Sequence, residues 1–86
     1  MSTKHELKTW PRFFEPLSKG EKTFELRKND RNFQVGDTLE CREWSPDSGY
    51  SGRVAHYRIT YICRAEDLQA VGLKGLNNEY CILGLY

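Results

Sequence analysis

Lys22, Glu25 and Arg27 are the residues whose types and spacing point most directly to chemistry, in the run Gly20-Glu21-Lys22-Thr23-Phe24-Glu25-Leu26-Arg27. On a strand, side chains two apart share a face, so Glu25 and Arg27 project together, about 7 Å apart along the chain. Lys22 follows a glycine suited to ending a helix, which puts it at the lip of a turn. An ammonium, a carboxylate and a guanidinium converging at such a junction can hold a phosphate or polarise a carbonyl. Lys22 can contact phosphate or serve as a desolvated base, and Arg27 offers a forked donor to a phosphate or a base edge. Glu25 can accept from a nucleobase amine or act as a general base, but orienting Arg27 is the role favoured here. If the chain is an enzyme, Lys22 and Glu25 are the candidate catalytic pair. The ordinary alternative is a solvated Glu-x-Arg ion pair and a lysine beside a turn, worth little.

Five further residues bear on the same site. Lys8 and His5 lie on a short strand expected to border it. A histidine there can serve as an acid or base, yet a lone histidine near a terminus reads first as structural or exposed. Trp44 shares strand parity with Glu40 and Arg42, all three read as exposed, which makes it the better platform for stacking a base. Trp10 reads at least as well as a core residue at a helix start. Arg31, in the polar loop Asn29-Asp30-Arg31-Asn32, can reach a phosphate or simply cap a turn.

The elements that must position these residues follow from periodicity and punctuation. His5 to Thr9 reads as a short strand with Leu7 inward. Trp10-Pro11 opens a helix, since proline suits the first helical position. Phe13, Phe14 and Leu17 give that helix an apolar side. Pro16 makes it short or kinked, and Gly20 ends it. Lys22 to Lys28 is the next strand, with Phe24 and Leu26 opposite Glu25 and Arg27. Gly36-Asp37 marks a turn before Thr38 to Trp44, which directs Leu39 and Cys41 inward. Ser45 to Gly52 is a hairpin tip. Arg53 to Arg64 is the longest strand, with Tyr57, Ile59, Tyr61 and Cys63 on one face. Ala65 to Gly75 is a short helix or irregular connection, and Tyr80 to Tyr86 closes the chain with Cys81, Leu83 and Leu85 alternating.

The expected order is β-α-β-β-β-(α)-β: α+β, mainly β, a mixed barrel of five or six strands with one or two short helices. Its expected core is Phe24, Leu26, Val35, Leu39, Tyr57, Ile59, Leu83 and Leu85. The whole chain, 1–86, is one domain, since 86 residues leave no room for a second core.

Composition bounds the partners. The net charge is only +1, but residues 1–32 hold eight Lys or Arg against five acids, and residues 33–86 hold five against seven. An anionic partner should therefore meet the first third of the chain. Cys41, Cys63 and Cys81 are odd in number, form no C-x-x-C pair and lie in strand-like runs. They read as buried, reduced core thiols, with neither metal nor cofactor called for. No apolar stretch suggests a signal peptide or membrane span, so a cytoplasmic monomer is expected.

The motif Gly-x-Lys-x-x-Glu-x-Arg, here Gly20, Lys22, Glu25 and Arg27, resembles the signature of ASCH domains in the PUA-like superfamily. The likeness extends to small phage and bacterial ASCH-like proteins of unknown function. It runs through His5, Leu7 and Lys8, an aromatic-rich helix, Phe24 through Arg31, Phe33 to Asp37, and a closing strand like Tyr80 to Leu85. That resemblance implies a PUA-like barrel with a cleft where the signature residues meet. It also implies RNA, single-stranded nucleic acid or a nucleotide as partner, with Lys8, Lys22, Glu25, Arg27, Arg31 and Trp44 as the binding residues. One branch of the family looks like an N4-acetylcytidine amidohydrolase. It places a threonine where this chain has Glu25, and its catalytic glutamate has no counterpart here. Three function classes follow, in order: a binding module for RNA or a nucleotide, a small hydrolase acting on a modified nucleoside or on RNA, and a protein-interaction domain of phage or host origin.

Overall fold

The computed structural model describes residues 2–86; Met1, at the head of the stretch read as lacking a signal peptide, lies outside them. Five strands and two helices succeed one another in the expected order. They are β1 (Lys4–Thr9), α1 (Pro11–Ser18), β2 (Phe24–Lys28), β3 (Thr38–Ser45), β4 (Gly49–Arg64), α2 (Ala65–Gln69) and β5 (Tyr80–Leu85). The strands form one mixed sheet in the order β1-β3-β4-β5-β2, parallel between β1 and β3 and antiparallel elsewhere. None of the described helices is long and apolar enough to cross a membrane.

The 16-residue strand β4 holds the sheet together. Its first part pairs with β3 and its last part with β5. The handover falls at Ile59, whose N–H donates to the Asp37 carbonyl and whose carbonyl accepts from Gly36 N–H. A register shift between Ile59 and Tyr61 then reverses the inward parity. Ile59 and Ile62 are both buried, while Tyr61 is exposed opposite Gly84. The single face expected for Tyr57, Ile59, Tyr61 and Cys63 is therefore broken at the bulge.

One apolar core fills the inner face: Leu7, Phe14, Leu17, Phe33, Leu39, Cys41, Ile59, Ile62, Cys81, Leu83 and Leu85, with Ala55 and Tyr57 packed against it. Leu39, Ile59, Leu83 and Leu85 are buried as expected. Tyr57 is half-buried because its hydroxyl reaches out to donate to the Leu17 carbonyl at 2.7 Å. Phe24, Leu26 and Val35 are exposed, contrary to expectation. Val35 sits in the turn before β3, where Phe33 takes the inward place instead. For β2 the cause is register: Glu25 pairs with Leu83 and Arg27 with Cys81, both inward residues of β5, while Phe24 faces Gly84. Glu25 and Arg27 must therefore share the inner face.

Glu40, expected outside, is also covered, and His5 takes the structural of its two expected places. Glu40 is buried under its own partners, accepting from His56 and Arg42 with Lys4 alongside. These hydrogen bonds, from His56 first and Arg42 next, hold its carboxyl down to about 2 despite burial. His5 is buried, not exposed, and its Nε2 lies 2.9 Å from Asp37 Oδ2. Burial pushes the Asp37 carboxyl up, but hydrogen bonds from His5 and from the Thr3 and Gln34 amides outweigh it, leaving the carboxyl below its ordinary value. Cys41 and Cys81 are buried and Cys63 only half-buried; none is bonded to another. Cys63 falls after the bulge, where the side-chain parity has changed.

Candidate functional site

Helix α1 delivers Lys22 to the site through the way it ends. Trp10 precedes the helix in extended conformation and Pro11 occupies its first turn, where no N–H is missed. At the other end Gly20 takes φ +74°, its N–H donates to Leu17, and the Glu21 N–H donates to Pro16. This pair of bonds is the Schellman closure, which needs a residue without a Cβ penalty at the left-handed position. The chain reverses there, and the Lys22 amide also bonds back to Pro16. Lys22 is thereby set at the mouth of β2.

The three signature side chains meet. Lys22 Nζ donates to Glu25 Oε1 and, at 2.7 Å, to the Phe24 carbonyl. Arg27 Nε donates to Glu25 Oε2 at 2.9 Å. Glu25 thus orients both cations, the role favoured from the sequence, and it does so from a buried position with its side chain only 5% exposed. A buried carboxylate needs this pairing, because an uncompensated charge there costs several kcal/mol, roughly. Lys22 and Arg27 remain partly open, at 15% and 24% exposure.

Arginines also bridge the two ends of the sheet. No ladder joins β1 to β2. Instead Arg27 Nη2 donates to the Lys8 carbonyl at 2.9 Å and to Thr9 Oγ1 at 3.2 Å, and Arg31 Nη1 donates to the Glu6 carbonyl at 2.9 Å. The unpaired edge of β1 is satisfied by guanidinium groups where a strand would otherwise lie. Arg31 is held for this by its loop: Phe33 is buried against His5, Asp37 accepts from the Gln34 amide, and Arg64 donates to the Phe33 carbonyl.

Along this seam opens a cleft of about 350 Å³, lined by Lys8, Thr9, Trp10, Phe13, Lys22, Phe24, Glu25, Leu26 and Arg27. Its volume lies in the range of small-molecule sites, roughly 300–1,000 Å³. Trp10, Phe13, Phe24 and Leu26 are the apolar walls, the last two supplied by the outward parity of β2. Lys8, Lys22, Glu25 and Arg27 share the cleft as the motif spacing leads one to expect. Arg31 lines the adjoining hollow and not this one. Trp44 stands behind the wall. It is half-buried, its ring meets Trp10 edge-on at 6.2 Å, and Lys8 Nζ lies 4.5 Å above it. Trp10, not Trp44, lines the cleft. Sequence reasoning also missed Phe13, which lies three residues after Trp10, and Thr9, whose side chain alternates with that of Lys8.

Beneath the cluster sit groups that carry no charge. Burial, then the nearby Glu25 carboxylate, pushes the Cys41 thiol up to about 11, with Thr9, Arg27 and Lys22 acting in the opposite direction. Burial likewise raises Tyr57, and Cys41 and Glu25 add to it. The floor is neutral thiol and phenol, and the polar work above it falls to Lys22, Glu25 and Arg27. The donors left over are countable. An ammonium has three N–H groups and a guanidinium five. Lys22 therefore retains one, and both N–H groups of Arg27 Nη1 lack an acceptor among the described residues.

Comparison with known proteins places the chain in a family while leaving the ligand open. An uncharacterised 12.9 kDa protein encoded in the GpA 3′ region of Escherichia phage P2 is 37% identical over 67 residues, which is 78% of this chain and 61% of that protein. The chain thus spans less than two thirds of that relative. A family model described as a domain of unknown function, DUF3850, matches residues 4–85, from the first residue of β1 to the last of β5. The chain belongs to the DUF3850 family.

Proposed function

We propose that this domain binds single-stranded RNA or a nucleotide in the cleft at the β1–β2 seam, using Lys8, Lys22, Glu25, Arg27 and Arg31, with Trp10 backed by Trp44 as the aromatic wall. The observation that carries the reading is an aromatic-walled cleft whose polar floor keeps unspent N–H donors on Lys22 and Arg27. Aromatic rings accept a base face of any sequence, and leftover cationic donors suit a phosphate or a base edge. In this reading the sheet is the small barrel of an ASCH-like, PUA-like domain, its ends tied by Arg27 and Arg31, and the protein works as a cytoplasmic monomer.

Titration with short single-stranded RNA tests it. Binding should weaken as salt rises, with a slope of log K against log salt of about −2 to −3 for three or four cation contacts at roughly −0.7 each. Arg27→Ala should weaken binding and flatten that slope by nearly one contact. A nucleoside deacylase fits less well, because two of the three Lys22 donors are already committed to Glu25 and Phe24 and no hydroxyl nucleophile stands at position 25. Release of acetate from N4-acetylcytidine, lost in Lys22→Ala, would reverse that preference. If neither RNA binding nor deacylation occurs, the domain acts on a protein partner instead.

A further inference from the structure

A second hollow of about 420 Å³ adjoins the aromatic cleft, and the two share Lys8 and Arg27. Their walls differ in kind. The first is built mainly of rings and a leucine. The second is lined by Lys8, Arg27, Arg31 and Arg42, with Tyr50, Leu7 and one carboxylate, Glu6. This hollow thus sets four cations against one acid on a chain of net charge +1.

These cations are unequally spent. Arg42 is committed to Glu40 through Nε at 2.6 Å and to Glu6 at 3.3 Å. Arg27 is committed to Glu25 and to the β1 edge. Lys8 and Arg31 have no carboxylate partner among the described residues. Lys8 Nζ rests over the Trp44 ring, and Arg31 makes one hydrogen bond, from Nη1 to the Glu6 carbonyl. Other cations, Arg58 and Lys74 among them, also make no ion pair among the described residues, but neither of those two lines this hollow. Two unpaired cations lining one hollow favour an anion with several acceptor oxygens.

Resting on the reading that the seam binds a nucleotide or RNA, we infer that the two hollows divide one nucleotide between them. The base enters the aromatic cleft, and the phosphate is held in the second hollow by Lys8 and Arg31, with Arg42 behind them. Arg27, which lines both, spans the junction where the sugar must lie. The site accordingly selects a nucleotide over the corresponding nucleoside. The phosphate can be that of a free mononucleotide or of a strand; both present the same oxygens to Lys8 and Arg31.

The test compares ligands by calorimetry on the intact chain, with tryptophan fluorescence as a second readout because Trp10 lines the cleft. The probes are the four ribonucleosides, their 5′- and 3′-monophosphates, dinucleoside monophosphates and inorganic phosphate. At least one monophosphate should bind roughly tenfold or more tightly than its nucleoside, the scale of one charge-assisted hydrogen bond. Arg31→Gln should bring the ratio of monophosphate to nucleoside affinity toward one. Lys8→Gln should do the same, which guards against a fold defect in either variant alone, and circular dichroism checks both. Inorganic phosphate should compete with the monophosphate. Tighter binding of the dinucleoside monophosphate would assign the phosphate to a strand, and tighter binding of the mononucleotide to a free metabolite; both support the phosphate seat. Equal affinity for nucleoside and nucleotide, or a ratio untouched by both variants, would overturn the phosphate seat while leaving the aromatic cleft as a base site. Absence of binding by every probe and by longer RNA would instead overturn the reading on which the seat rests.

Discussion

Replacing Glu25 by glutamine removes one charge from the centre of the site and leaves its shape. The wild-type carboxylate is 5% exposed and is the counter-ion of both Lys22 and Arg27, which are 15% and 24% exposed. Removing one member of a fully buried pair costs about 3–5 kcal/mol. Because both cations here keep some access to water, and Gln retains one acceptor, the expected cost is smaller, roughly 2–3 kcal/mol. A domain of this length has a total stability of about 4–13 kcal/mol. The loss corresponds to a fall in Tm of roughly 10–20 °C. Thermal and urea unfolding followed by circular dichroism measure it directly. Adding Lys22→Met to Glu25→Gln should restore about 1 kcal/mol, since it removes one stranded ammonium. A Glu25→Gln variant melting within about 2 °C of the parent would refute the idea that this carboxylate anchors the cluster.

Other outcomes follow from the same structure. Asp37 and Glu40 are both held below their ordinary carboxyl values, Glu40 at about 2 from 4.5. Ionised carboxylates of this kind stabilise the fold above their unfolded values, so stability should be flat near neutrality and fall as the pH drops from about 4.5 toward 2. Asp37→Asn should shallow that acid limb in urea titrations at stepped pH; an unchanged limb would count against the His5–Asp37 contact. Gly20→Ala should cost about 1–2 kcal/mol through its positive φ, although a Cβ there meets no neighbour within 4 Å. Equal stability would show that the helix ends differently. Under native conditions a thiol reagent should modify Cys63 well before Cys41 or Cys81, read by peptide mass; first labelling at Cys41 would contradict its burial.

Much of the architecture was legible because alternation and punctuation agree. The order of elements, the Trp10-Pro11 helix start, the Gly20 stop and the inward Cys81, Leu83 and Leu85 all follow from local rules. The meeting of Lys22, Glu25 and Arg27 was legible from motif spacing alone. What could not be read locally was which face of β2 points inward. Hydrophobicity favours Phe24 and Leu26, but pairing with β5 fixes the opposite parity, and the buried charge is made tolerable by partners three residues before and two after it. Similarly, nothing in Ile59-Thr60-Tyr61 announces a bulge; it arises where β4 leaves β3 for β5. Trp44 was misplaced because its neighbours Glu40 and Arg42 look like solvent-facing residues. Glu40 is covered by the side chains of Lys4 and His56 that reach it from β1 and β4. Tertiary pairing decided each of these cases against local preference.

The most direct test of ligand binding at the seam is an NMR titration of the labelled chain with short single-stranded RNA and with nucleoside monophosphates. Saturable shifts should cluster on the amides of Lys8 to Phe13 and Lys22 to Arg27 and on the Trp10 indole, with Arg31 joining when phosphate is present. Shifts confined to residues that line neither hollow, or no saturable shift at high ligand concentration, would contradict a nucleotide site between β1 and β2.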